Sequence, residues 1–137
     1  MPKIAGLLET ALYVDDMARS ARFFREVMGL TPMLESEKLT AFDAGGQGVL
    51  LIFAREGSIE DSHTPGGTIP GHHGSGPLHM AFAIAAEDYE PWRDHLRAAG
   101  VKERGEMRWD RGGRSFYFED PDGHVLELAT PGIWPNF

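Results

Sequence analysis

The chain has 137 residues, 42% apolar and 25% charged, an ordinary globular composition and long enough for one domain with its own core. Thirteen Lys and Arg against 21 Asp and Glu leave a formal charge of −8, which argues against the basic face that nucleic acid or an anionic membrane would need. No cysteine is present, which removes disulfides and thiolate sites, and with neither a membrane-length apolar run nor a signal segment in MPKIAGLLET a cytoplasmic protein is expected.

Residues 7–30, LLETALYVDDMARSARFFREVMGL, predict a strand, a helix and a glycine stop. Leu8, Thr10, Leu12 and Val14 alternate with Glu9, Ala11, Tyr13 and Asp15, the period of a half-buried strand. Asp15 or Asp16 is placed to cap a helix whose core face would be Met17, Ala21, Phe24, Val27 and Met28, with Gly29 ending it. Three strand-like stretches follow, at 30–36, 38–43 and 48–54. Residues 77–101, PLHMAFAIAAEDYEPWRDHLRAAGV, repeat the plan, with a helix carrying Trp92, Leu96 and Ala99 and stopped by Gly100. Its strands fall at 101–108, 114–119 and 124–129, separated by Gly112-Gly113 and by Asp120-Pro121-Asp122-Gly123.

The expected fold class is therefore α+β, two βαβββ modules whose uncovered sheet faces form an open, curved cleft. The expected organisation is a single domain over 1–137. It comprises a module at 5–54, a linker at 55–76, a module at 77–130 and a tail at 131–137. The linker, REGSIEDSHTPGGTIPGHHGSG, reads as a solvated connector, a lid or a crossover between subunits, and the tail residues Trp134 and Phe137 as packing on the body or a partner.

Strand parity then collects the polar residues. With Leu12 and Val14 under the first helix, Glu9, Ala11 and Tyr13 face the cleft; with Met80, Phe82 and Ile84 under the second, so do His79, Ala81 and Ala83. In the last two strands the cleft face receives Ser115, Tyr117, Glu119, Val125, Glu127 and Ala129. Glu9, His79 and Glu127 can converge as one imidazole and two carboxylates, a set suited to a divalent Mn, Fe, Co, Ni or Zn ion with positions left for substrate. The repeat places Leu51 at a fourth position, where it cannot coordinate. Each residue alone has a plain structural reading, and His63, His72 and His73 in the linker form a rival, poorly preorganised metal candidate.

The segments ETALYVDDMARSARFFREVMGL, LHMAFAI and SFYFEDPDGHVLEL give the chain a resemblance to the vicinal oxygen chelate superfamily: glyoxalase I, bleomycin resistance proteins, extradiol dioxygenases and fosfomycin resistance enzymes. The resemblance spans nearly the whole chain and implies a glyoxalase-like fold. It also implies a homodimer in which Glu9 can meet His79 and Glu127 of the other chain, and metal ligands at those three positions. Glu9 stands where many members have His, and Leu51 where glyoxalase I has a carboxylate. The closing motif is most similar to that of fosfomycin resistance enzymes, where Ser115 and Tyr117 match substrate-contacting positions. Ala11 replaces a hydroxyl there, and Asn136 falls near an expected phosphonate-binding Arg, so a phosphonate substrate is not expected.

The functional expectation is a metal-dependent lyase, isomerase or transferase acting on a small molecule that chelates the ion through neighbouring oxygens. Glu9, Glu127 and Tyr117 would be catalytic, the carboxylates as proton-transfer bases and the phenol as a hydrogen-bond donor. Tyr13, Ser115, Arg114 and Trp109 would contact substrate. The alternative is a metal-free protein of the bleomycin-resistance type that sequesters a drug or metabolite among aromatic residues such as Trp109 and Trp134.

Overall fold

In the computed structural model, which describes residues 1–137, the first alternating segment becomes strand β1 (Glu9–Val14), with Leu12 and Val14 buried. Helix α1 (Met17–Arg22) follows. Its cap is Asp16, whose carboxylate accepts from the Arg19 backbone N–H at 3.0 Å, an interaction worth about 1 kcal/mol. The helix then widens into one π turn over Phe23–Val27, closed by Met28 N–H to the Phe23 carbonyl at 3.1 Å. That turn rotates the buried face. Ala21, Phe24 and Met28 are inside as expected, Ser20 and Phe23 join them, and Met17 and Val27 are only half-buried. Gly29, at φ +70°, ends the helix.

Strands β2 (Thr31–Glu35), β3 (Leu39–Asp43) and β4 (Val49–Ala54) complete a sheet of order β1-β4-β3-β2, in which β1 and β4 run parallel. The linker is more than a connector. It contains a small hairpin, β5 (Ser62–Thr64) and β6 (Gly67–Ile69), closed at its base by His72 N–H to the Ser58 carbonyl at 2.7 Å and Ser58 Oγ to the His72 carbonyl at 2.7 Å. The turn-forming Thr64-Pro65-Gly66-Gly67 lies between two three-residue strands, which are too short to show a hydrophobic period.

The second repeat builds β7 (His79–Ala83), a 3₁₀ turn at Ala86–Asp88, and α2 (Tyr89–Ala98). Strands β8 (Glu103–Arg108), β9 (Arg114–Glu119) and β10 (Val125–Ala129) follow, giving the order β7-β10-β9-β8 with β7 and β10 parallel. The fold is α+β and each half is βαβββ, with every expected strand of the two modules present. The chain divides into two units, Met1–Ser75 and Gly76–Phe137, so the linker segment up to Ser75 groups with the first. No helix is long and apolar enough to cross a membrane.

Each sheet buries one face against its own helix. Phe24, Phe42, Leu50 and Ile52 are at most 1% exposed in the first unit, as are Phe116, Phe118, Leu126 and Leu128 in the second. A fully buried side chain of this kind stabilises the fold by roughly 1.5–3 kcal/mol, which leaves the opposite sheet face free to carry polar groups.

Candidate functional site

The open face of the second sheet brings His79 and Glu127 together. The two residues stand on adjacent parallel strands, Glu127 opposite Ala81 and His79 opposite Val125. His79 Nε2 lies 3.4 Å from Glu127 Oε2. Its other nitrogen, Nδ1, is 2.9 Å from the Val125 carbonyl, and because a carbonyl only accepts, Nδ1 carries the proton. With Nδ1–H spent on the backbone, Nε2 is the nitrogen turned toward the carboxylate. This is how a metal-ligating histidine is held.

Glu127 is only 7% exposed, an unusual place for a carboxylate. Tyr117 stands across from it on β9, with its ring centroid 6.2 Å from that of His79. Burial pushes the Tyr117 phenol up; a hydrogen bond from Ser115 opposes this, and Glu127 adds to it. The phenol therefore keeps its proton well beyond neutral pH and serves as a donor.

These three side chains line a cavity of about 420 Å³, together with Trp134, Asn136 and Phe137. The floor is small-residue sheet: Ala81, Ala83 and Ala129. Trp109 also lines it, its indole N–H donating to Ser115 Oγ at 2.9 Å.

Ser115 is itself fully buried; its hydroxyl accepts from the Trp109 indole and bonds to Tyr117. Arg114 is a correction to the expected substrate contact. It belongs to the helix-facing parity of β9, with its guanidinium 3.9 Å from the Tyr89 ring centroid and bonded to Glu90 at 2.9 Å. Parity alone excludes Arg114 from the open face, since Phe116 and Phe118 share its side.

In the first unit, Glu9 is exposed at the start of β1. Tyr13 Oη lies 2.7 Å from His72 Nδ1 in a hydrogen bond, and both rings lie against Phe53. His63 pairs with Thr68 at 3.0 Å, while His72 pairs with Tyr13. Nowhere do three His, Asp or Glu side chains of one chain gather as a metal-binding group; the pair His79–Glu127 is what the second unit offers.

Sequence reasoning misses one positioning residue. His124 is wholly buried, and its Nδ1 accepts the Leu78 backbone N–H at 2.9 Å, immediately before His79. The Asp120 carboxylate in turn receives the backbone N–H groups of Asp122 and His124 at 3.0 and 2.8 Å. The signal lies in Asp120-Pro-Asp-Gly-His124, whose composition speaks first of a turn and hides the buried imidazole that follows it.

The family model of the Glyoxalase/Bleomycin resistance protein/Dioxygenase superfamily matches residues 6–128. Among curated proteins, the metallothiol transferase FosB of Bacillus licheniformis is 31% identical over 138 residues, covering 96% of this chain and 79% of its own length. Among solved structures, lactoylglutathione lyase from Agrobacterium tumefaciens superposes with a TM-score of 0.88 at 29% identity, covering 98% of this chain and 99% of the other. A point mutant of the fosfomycin resistance protein FosX from Listeria monocytogenes, in complex with Mn(II) and 1S,2S-dihydroxypropylphosphonic acid, superposes with a TM-score of 0.66 at 26% identity, covering 92% and 90%.

Proposed function

Because the chain belongs to the Glyoxalase/Bleomycin resistance protein/Dioxygenase superfamily, we propose that it is a divalent-metal-dependent enzyme whose small substrate binds the ion through neighbouring oxygens. The observation that carries this reading is the His79 tautomer, with Nδ1–H spent on the Val125 carbonyl and Nε2 directed at the Glu127 carboxylate 3.4 Å away. The donor set fits a metal of intermediate hardness such as Mn, Fe, Co, Ni or Zn. The Mn(II) in the Listeria relative supports the same choice.

Glu9 is the proposed third ligand. It matches His79 within the repeat, since Glu9 faces Val49 on its parallel neighbour as His79 faces Val125. We assign it to a homodimer in which Glu9 of the partner subunit completes the His79–Glu127 pair. When bound, a divalent ion supplies Lewis-acid stabilisation of charge developing on a substrate oxygen. Tyr117, with its phenol raised by burial, donates a hydrogen bond toward that oxygen. Glu127 is enclosed between His79 and Tyr117, so the more exposed Glu9 is the better candidate to accept and return a proton. Of lyase, isomerase and transferase chemistry, the transferase reading has support from the name of the Bacillus relative.

Metal binding to variants tests this. Glu127→Ala should weaken Mn²⁺ binding in calorimetry by more than about a hundredfold, beyond what loss of a supporting residue costs. Glu9→Ala alone should also bind poorly. Unfolding the two variants together and refolding them should restore about a quarter of the sites, because half the dimers are mixed and each mixed dimer has one intact site. Restoration of none would reject the shared site, and tight Mn²⁺ binding by Glu127→Ala would reject the ligand set.

A further inference from the structure

The tail beyond β10 is built as a hook. Gly132 and Ile133 N–H both bond to the backbone oxygen of Phe137, at 3.0 and 3.3 Å, and Phe137 N–H returns to the Trp134 carbonyl at 3.1 Å. The hook is pinned to the turn between β8 and β9 by Gly113 N–H to the Gly132 carbonyl at 3.0 Å. That contact needs both glycines: a Cβ on Gly132, at φ +103°, would sit 2.6 Å from Gly113 N, and one on Gly113 would sit 2.7 Å from Gly132 C. So tight an anchor fixes the path of residues 131–137. Yet it leaves Trp134 65% exposed and Phe137 39% exposed, at the edge of the cavity that also holds His79, Tyr117 and Glu127.

The rest of the lining fits one kind of occupant. Ala81, Ala83 and Ala129 contribute small side chains to the lining, and Trp109 and Phe82 add further large rings. No Lys or Arg lines the cavity, and Asn136 is neutral. A phosphonate or carboxylate-rich ligand would find no countercharge on this wall, whereas a planar ring would find aromatic faces and small side chains.

We propose that the hook 131–137 is the specificity wall of the site, seating a planar, uncharged aromatic portion of the substrate between the Trp134 and Phe137 rings and the alanine floor. The proposal rests on the metal reading above only in that the substrate's paired oxygens would point toward His79 and Glu127; the aromatic seat itself needs no metal.

The test uses the full chain, metal-free and loaded with Mn²⁺, titrated calorimetrically with chromone, 3-hydroxychromone, maltol and methylphosphonate. Maltol and 3-hydroxychromone present the same hydroxyl–ketone pair and differ by a fused benzene ring and by maltol's 2-methyl group. Chromone should bind the metal-free protein, and 3-hydroxychromone should bind the loaded protein about tenfold more tightly than maltol, the upper range of one aromatic contact. Trp134→Ala and Phe137→Ala should erase that preference, Trp134→Phe should keep most of it, and methylphosphonate should not bind. Equal affinities for maltol and 3-hydroxychromone, or preferred binding of methylphosphonate, would overturn the proposal. So would a Trp134→Ala variant that shifts dimer dissociation while chromone binding stays unchanged, since the hook would then serve a second copy. If chromone binding depends on the hook but Mn²⁺ adds nothing for 3-hydroxychromone, the aromatic seat stands and the metal reading fails. Retained Mn²⁺ without any fused-ring preference rejects the seat and leaves the metal reading standing.

Discussion

Strands β4 and β10 occupy the same place in their two sheets, each between a parallel neighbour and an antiparallel one. Val49 faces Glu9 as Val125 faces His79, and Leu51 faces Ala11 as Glu127 faces Ala81. The hairpins that lead into them also match: Ala44 N–H bonds to the Gly48 carbonyl at 3.0 Å, and Asp120 N–H to the His124 carbonyl at 3.1 Å. On this shared frame the first module carries Leu51, Ala44 and Gly48 where the second carries Glu127, Asp120 and His124. The helix-facing side is largely apolar in both modules, Thr40 and Arg114 excepted, so framework and chemistry vary independently. One module can carry Leu51 where the other carries Glu127 without losing its fold, because that position stands on the face opposite the helix.

The likeness of the two frames is most forcefully broken in their cores. Phe42 and Phe118 hold matching positions, opposite Leu50 and Leu126, and neither is exposed. Alanine at either should cost about 3–5 kcal/mol by urea denaturation, and nearly the same in both modules. A large inequality would mean that the two frames are not energetically equivalent.

A smaller effect is expected where the modules differ. His124→Leu removes the acceptor for Leu78 N–H and should destabilise by about 1–3 kcal/mol, through a buried donor left unpaired. It should also weaken Mn²⁺ binding, because Leu78 precedes His79. His124→Asn, whose side-chain oxygen can accept the same bond, should recover part of both losses.

The smallest expected effect is a pH slope. Burial raises the Asp120 carboxyl above the ordinary carboxylate value, against backbone hydrogen bonds from His124 and Asp122 that lower it, and its Oδ2 is buried without a partner. The native state therefore keeps this proton where the unfolded chain has already lost it. Its contribution is fully present below the unfolded value of about 3.9 and is lost as pH rises through the raised native value. Thermal melts of Asp120→Asn should lack that decline. Ala44, at the matching place in the first module, has nothing to titrate.

Much of the fold is legible in the residues. Alternation in Glu9–Val14 and His79–Ala83, the glycine stops and the turn clusters locate both modules, and strand parity puts His79, Tyr117 and Glu127 on one face. Parity also holds the answer for Arg114, which shares the side of Phe116. The π turn at Phe23–Val27 is not legible, because Phe23 and Phe24 fit an amphipathic helix in either register. The hook is not legible either. Its bonds are backbone to backbone, and only the approach of Gly113 to Gly132 turns the short tail into a wall.

The sequence by itself determined the repeat, the α+β class, the apolar face of each sheet and the oxygen-and-imidazole character of any metal site, because these follow from period, turn chemistry and residue type alone. Tertiary structure decided which of the polar residues meet. The 3.4 Å approach of His79 to Glu127, the tautomer held by the Val125 carbonyl, and the burial of Ser115 all depend on strand register and neighbouring backbone. Those are distances between residues remote in the chain, and no local pattern encodes them.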